Sequence, residues 1–324
     1  MNQSAMHINQ PHDQSPYILP NVRGRYLFDY DLSKATWFKV GGSADVLFKP
    51  KDTQDLAEFL RLKSPDMPIV VLGAGSNVLV RDGGIKGCVI KLGSGFSALT
   101  FDAATVIVGA ACLDRTLVME CAQRGLGGLE FLVGVPGSVG GAIAMNAGAY
   151  GSEVIDFLLW VEVIDTKGNI SRIQRSDLQM TYRHGNLPDG AIVTRACFNL
   201  IPKDSTTINE TIHTFLQKRE DTQPVRGRTG GSTFKNPTIN NKMGQGAEPK
   251  KAWELIDEAG CRGFSINDAQ VSEKHCNFIL NLEAATANDL EQLGEHVRTA
   301  VKATSGVDLE WEIIRLGEPL LPAS

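Results

Sequence analysis

Phe131–Tyr150 carries no charged side chain over twenty residues, yet it holds five glycines together with Pro136, Ser138 and Asn146. No other feature restricts the fold of this chain so strongly. A membrane span needs about twenty predominantly apolar residues, and this run lacks the sustained Leu, Ile and Val content of one. So many small residues serve either tight packing of a short helix on a sheet or close approach of backbone to something flat or charged. A second cluster, Gly73-Ala74-Gly75-Ser76-Asn77-Val78, follows the apolar run Ile69–Leu72. A strand entering Gly-x-Gly suggests a dinucleotide fingerprint. The third fingerprint position is Val78, however, and Val78–Val80 continues as strand rather than helix. What survives is a tight turn whose N–H groups, with Ser76 and Asn77, cradle a pyrophosphate, or else an ordinary strand-turn-strand. Two such segments in one chain favour a large phosphate-bearing cofactor.

The 324 residues suffice for about two domains. A net charge of −5 lacks the basic excess of a nucleic-acid binder. Cys88, Cys112, Cys121, Cys197, Cys261 and Cys276 include no C-x-x-C pair, and the six His include no H-x-x-x-H pair, so a structural metal site is not expected. Scattered cysteines of this kind are the reduced thiols of a cytoplasmic protein. Residues 1–26 are polar, with Pro11, Pro16 and Pro20 and no apolar signal segment, and read as a mobile arm. No membrane association is expected.

From 34 to 203 short apolar runs alternate with Gly-rich turns. Ala44–Lys49, Ile69–Leu72, Cys88–Leu92, Thr105–Gly109, Leu159–Asp165 and Ala191–Leu200 read as strands, and Asp52–Arg61 and Leu113–Arg124 as helices. The mixture predicts an α+β domain rather than βαβ alternation. A break near Pro202 opens a second, smaller α+β domain over 204–308, with helices at Ser205–Arg219, Lys250–Ala259 and Ala287–Thr304 and a strand at Asn277–Leu282. The late strand Leu309–Leu316, within a segment 309–317, is placed to return to the first domain.

Further segments are candidates to carry chemistry. Ser232 follows two glycines and lies between Arg228 and Lys235, either as a proton donor to a reacting carbon or as a turn cap. Between Lys218 and Lys235 there are five basic and two acidic residues, which suits an anionic ligand, although part of such a run is simply a solvated helix end. Arg183, in a Tyr182-Arg183-His184 loop, is suited to clamp a carboxylate. Alternation places Glu310 and Glu312 on one strand face, which is more often wet than functional. His275 has no metal-ligand partner at useful spacing and reads as structural or substrate-contacting.

Taken together and in order, Thr36–Gly42, Gly73–Asn77, Gly134–Gly151, Tyr182-Arg183, Gly231–Pro237, Gln270–His275 and Leu309–Glu312 resemble the UDP-N-acetylenolpyruvoylglucosamine reductases, over about Lys34–Gly317. The resemblance implies an FAD-binding domain of the vanillyl-alcohol oxidase (PCMH) type and a substrate-binding α+β domain. It implies non-covalent FAD, NADPH as hydride-donating co-substrate, and reduction of the enolpyruvyl nucleotide to UDP-N-acetylmuramate in the peptidoglycan synthesis that serves cell shape and division.

By motif, Ser232 resembles the proton donor, and Arg183 and Glu312 resemble the residues flanking the enolpyruvyl carboxylate, the hydride coming from flavin N5. Expected cofactor contacts are Gly41, Gly73, Ala74, Gly75, Ser76, Asn77, Val78, Pro136, Gly137, Ser138, Gly140, Gly141, Asn146, Ala147 and Gly148. Expected substrate contacts are Tyr182, Arg219, Arg228, Lys235, Asn236 and His275. Only Gly185–Gly190 separates the Tyr182-Arg183-His184 loop from the Ala191 strand, so the chain resembles the subgroup without an inserted Tyr loop. A monomer is expected. The alternatives are an FAD oxidase or dehydrogenase of the same fold acting on another substrate, and a nucleotide-binding regulator without catalysis.

Overall fold

The computed structural model describes residues 17–237 and 250–320. Ser43–Lys49 runs antiparallel to Arg25–Asp31 and parallel to Ile85–Ile90, which carries Ile69–Val71 on its far side. This sheet is covered on both faces, which explains its nearly continuous apolar runs. Val46, Phe48, Cys88 and Ile90 face the helix Thr53–Leu62 through Leu56, Phe59 and Leu60. Leu47 and Val89 face Leu32, Leu72 and Val80.

A five-stranded antiparallel sheet follows, in the order Ile170–Gln174, Leu158–Ile164, Ile192–Asn199, Thr105–Gly109, Leu99–Asp102. Its inner face, with Val106, Val108, Val161, Val163, Ala196 and Phe198, packs on the helices Asp114–Gln123 and Val139–Ala144. The second helix lies inside the charge-free, glycine-rich run.

The C-terminal unit sets Ser265–Ile266, Ala269–Val271 and Ile279–Asn281 against the helices Ala252–Glu258 and Ala287–Ser305. The longer helix starts at a capping box between Thr286 and Asp289 and ends at Gly306 in the left-handed conformation. Residues of the first unit are built into this one. Phe38, Val40 and Leu79 share its core with Leu255 and Leu293. The Asp82 carboxylate accepts from Ala287 N and Asn288 N at 3.0 and 2.9 Å, satisfying donors that the helix start leaves open. Arg81 donates twice to Glu291. Ile314–Leu316 runs parallel to Val78–Val80, so the end of the chain lies beside the first glycine turn.

Some elements differ from the sequence expectation. Residues 1–16 of the expected arm lie outside the described residues. Tyr17 and Leu19 pack against the Phe48 core, Tyr26 Oη donates to Pro20 O at 2.9 Å, and Arg25 opens a strand. The helix Ser205–Thr222 buries Ile208 and Ile212 in the core of the first unit, beside Phe131 and Leu132. The strand expected at Leu309–Leu316 is confined to Ile314–Leu316. All six cysteines are buried and free, and burial raises the Cys88 thiol to about 12. Among the described residues no helix is long and apolar enough to cross a membrane.

Candidate active site

The two glycine clusters meet. A side chain at Gly73 would touch Ser138 Oγ at 2.9 Å, and one at Gly141 would approach the same oxygen at 3.7 Å. Ser138 stands at the start of the helix Val139–Ala144 without using its hydroxyl to cap it. The space in front of this hydroxyl is thus bounded by two bare glycines, and backbone can approach a phosphate or ring edge there. Lys91 Nζ donates to Gly73 O at 2.6 Å, and burial lowers its pKa. No motif marked that lysine.

Neighbouring glycines serve the fold instead. Gly75 has φ +72, and a Cβ there would lie 2.1 Å from Ala35 O; its own carbonyl accepts from Trp37 N. Gly140 packs on Ala110, and Gly41, at φ +114, on Val80. Asn146 is fully buried, donates to Glu153 and to Thr181 O, and accepts from Ile155 N. Ala147 is bonded within the same turn, and Gly148 O accepts from Arg183. The expected cofactor contacts therefore divide. Gly73, Ala74, Ser76, Val78, Pro136, Gly137, Ser138 and Gly141 belong to the two facing segments, whereas Gly41, Gly75, Gly140 and Asn146 shape them from behind. Asp114 lies under Gly137, where a Cβ would sit 2.8 Å from its Oδ2. Neither Asp114 oxygen has a hydrogen-bond partner among the described residues, and burial raises its pKa well above the ordinary carboxylate value.

Arg183, Ser232 and Glu312 come from three separate segments. Arg183 lies in a tight hairpin closed by reciprocal Thr181–His184 hydrogen bonds of 3.0 Å, with φ +57. A left-handed non-glycine residue costs on the order of 1–3 kcal/mol. The hairpin holds that conformation and aims the guanidinium at Glu312, with Nε 2.7 Å from Oε1. Arg183 Nη1 also donates to Gly148 O at 3.2 Å, and the guanidinium lies against the Tyr182 ring.

Only 13% of the Glu312 side chain is exposed, against 76% for Glu310. Burial raises the Glu312 pKa, with Arg183 and then Lys235 opposing. Glu312 N donates to Thr233 O at 2.8 Å, which brings the residue after Ser232 alongside. The Ser232 hydroxyl is half-buried and has no hydrogen-bond partner among the described residues. In front of it Gly231, at φ +81, would place a Cβ in open space.

The expected substrate residues separate in the same way. Arg219 lines a pocket with Trp37, Pro136, Thr229, Gly231 and Phe278. It donates to Gln223, pairs with no carboxylate among the described residues, and has its pKa lowered by burial. Arg228 instead turns to the surface and donates to Glu283 O. Asn236 accepts from Ala252 N at the start of a helix. Lys235 lies 3.5 Å from Glu310. His275 sits between Trp253 and Phe278, accepts from Asn277 N through Nδ1, and has its pKa lowered by burial. Among the described residues no three His, Cys, Asp or Glu side chains are grouped to hold a metal ion.

Two known sequence families match separate parts of the chain. Residues 44–174 match an FAD binding domain, and residues 223–316 match the C-terminal domain of UDP-N-acetylenolpyruvoylglucosamine reductase. A reductase of that name from Acidiphilium cryptum is 51% identical over 301 residues, covering 93% of this chain and 94% of the relative. The chain belongs to the UDP-N-acetylenolpyruvoylglucosamine reductase family.

The family member from Rickettsia conorii is 48% identical over 300 residues, covering 93% of this chain and 98% of its own. A crystal structure of the reductase from Thermus caldophilus superposes with a TM-score of 0.76 at 34% identity, covering 92% of this chain and all of that one. The α+β architecture and the FAD-binding domain are thus properties of this family member. The cradle between Gly73, Ser138 and Gly141 fits the phosphate-bearing part of such a cofactor, because a Cβ at Gly73 would crowd Ser138 Oγ and one at Gly141 would border the same oxygen.

Proposed function

We propose that this chain reduces the enolpyruvyl group of UDP-N-acetylenolpyruvoylglucosamine to the lactyl ether with NADPH, giving UDP-N-acetylmuramate for peptidoglycan. The observation that carries the mechanism is the half-buried Arg183–Glu312 pair, whose Glu312 N–H is bonded to Thr233 O, next in sequence to a serine hydroxyl without a hydrogen-bond partner among the described residues. Bound FAD, reduced by NADPH, supplies the hydride to the terminal enolpyruvyl carbon. Negative charge then develops on the adjacent carbon and its carboxylate. Arg183 stabilises that charge more in the transition state than in the ground state.

Glu312 and the hairpin fix the direction of the guanidinium. Ser232 donates its hydroxyl proton to the carbanion, so that the O–H bond breaks as the new C–H bond forms. Water returns a proton to Oγ. Arg219, a pocket cation without a carboxylate partner among the described residues, suits the diphosphate of the nucleotide, and Tyr182, Lys235 and His275 suit its remaining polar groups. Gly73, Ala74, Ser76 and Val78, with Pro136, Gly137, Ser138 and Gly141, suit the pyrophosphate of FAD. We place the division of labour after the helix Ser205–Thr222, which packs into the first unit, the setting in the cytoplasm and the active species as a monomer. The test is direct: NADPH bleaches the yellow protein, and the enolpyruvyl nucleotide restores the colour. Protein that is bleached and not restored by that nucleotide refutes the assignment.

A further inference from the structure

Asn77 belongs to the first glycine turn and was expected to face the cofactor, but its side chain is engaged elsewhere. Asn77 Nδ2 donates to Glu312 O at 3.1 Å, and Asn77 O accepts from Ile314 N at 3.0 Å. The side-chain bond extends the parallel pairing of Val78–Val80 with Ile314–Leu316 by one rung, in the direction of the site. Glu312 is thus held from both sides of its backbone. Its N–H is fixed to Thr233 O, next to Ser232, and its C=O to the cofactor turn. Its carboxylate meets Arg183. One asparagine therefore ties the turn that follows Gly73 to the carboxylate that orients the arginine, across 235 positions of sequence.

We infer that Asn77 is a positioning residue for the second half of the reaction: it registers Glu312, and through it Arg183 and the Ser232 segment, to the flavin-binding turn. The inference rests on the proposed function. Removing the donor leaves the Asn77 backbone bonds in place and leaves the Glu312 carbonyl without its side-chain partner, so the carboxylate and Arg183 lose their fixed distance from the cofactor. Displacements of this size cost rate because the reacting groups must be aligned closely.

Asn77→Leu keeps the shape and neutrality of the side chain and removes the N–H donor. In the holoenzyme the expected result is FAD affinity within about twofold of wild type and reduction by NADPH within about threefold, with reoxidation by the enolpyruvyl nucleotide slowed roughly tenfold or more. A double-mutant cycle supplies the readout that a merely structural role would not move. In a Glu312→Gln background, where the carboxylate is already gone, Asn77→Leu should cost less than threefold. Should Asn77→Leu fail to fold, Asn77→Ala is read by the same measurements.

Equal slowing in both backgrounds overturns the inference, as does loss of FAD or parallel slowing of both half-reactions. A variant whose reoxidation matches wild type overturns it equally. Wild-type protein that the nucleotide does not reoxidise refutes the functional assignment itself, and is thereby distinguished from all of these.

Discussion

Arg183 and Glu312, 129 positions apart in the chain, meet through a 2.7 Å hydrogen bond from Nε to Oε1, with 19% and 13% of their side chains exposed. A pair this secluded is sensitive to its protonation state. Burial raises the Glu312 pKa, so the carboxyl ionises at higher pH than an ordinary glutamate. Below that pKa Glu312 is neutral and the Arg183 charge is available to a substrate carboxylate; above it the two side chains neutralise each other. KM for the enolpyruvyl nucleotide should therefore rise with pH above the Glu312 pKa, and Glu312→Gln should flatten the rise. A KM profile with the same slope in both proteins would assign the titration to another group.

Ser232 separates the half-reactions. Reduction by NADPH requires no proton on a substrate carbon, so Ser232→Ala should leave its rate nearly intact. Reoxidation by the nucleotide should slow by about 10²–10⁴-fold, the usual scale of general acid catalysis. Stopped-flow absorbance of the flavin measures each step separately. Equal losses in both would make Ser232 a structural residue.

Arg219 and Arg228 are both basic residues of the same charged segment, yet only Arg219 lines the pocket. Arg219→Ala should raise KM for the nucleotide roughly 10–100-fold with little change in kcat, since hydrogen bonds to charged groups are worth about 1.5–3 kcal/mol. Arg228→Ala should leave KM within about twofold of wild type. Steady-state kinetics at fixed ionic strength distinguishes the two, and equal effects would contradict the placement of Arg219.

What the sequence made legible follows from the range of each interaction. The glycine runs implied close backbone approach, and the two runs do face each other; of Arg183, Ser232 and Glu312, expected from motifs in separate segments, Arg183 and Glu312 are paired. Which glycine faces the cradle was not legible: Gly140 and Gly141 are adjacent, but one packs on Ala110 and the other opens toward Ser138. That depends on the direction of each Cα within a short helix, which composition does not encode. Alternation placed Glu310 and Glu312 together but could not say that only Glu312 would be covered, because its cover comes from Arg183 and Thr233. The strand Arg25–Asp31 was hidden by the prolines before it and by Asp29, a left-handed residue that interrupts its apolar run. Asn77 read as a ligand contact because its partner lies near the other end of the chain.

Asp114 should make stability depend on pH. Its folded pKa lies well above the ordinary carboxylate value because it is buried without hydrogen-bond partners among the described residues. For a raised carboxyl, the contribution to stability is complete below the unfolded pKa and is lost as pH rises toward the folded one. Between those limits the wild type should lose up to about 1.4 kcal/mol per pH unit relative to Asp114→Asn, which carries no titrating proton. Denaturant melts of both apoproteins at pH 5 and pH 8 give the comparison. A difference that does not change with pH would mean that Asp114 is ionised in the folded chain.

Gly75 and Gly141 should fail in different ways. A Cβ at Gly75 would lie 2.1 Å from Ala35 O at φ +72, so Gly75→Ala should destabilise the apoprotein itself. At Gly141 the new Cβ would meet only Ser138 Oγ, at the ordinary contact distance of 3.7 Å. The added methyls of Gly141→Val should then project into the cradle without disturbing the fold. The expected result is an apoprotein Tm close to wild type with FAD binding weakened roughly tenfold or more, which corresponds to about 1.4 kcal/mol. Fluorescence of FAD released on heating gives its stoichiometry in each variant, and shows whether the flavin is held non-covalently. If Gly141→Val binds FAD as tightly as wild type does, the cofactor lies away from Ser138 and Gly141, and the assignment of these two facing segments is wrong.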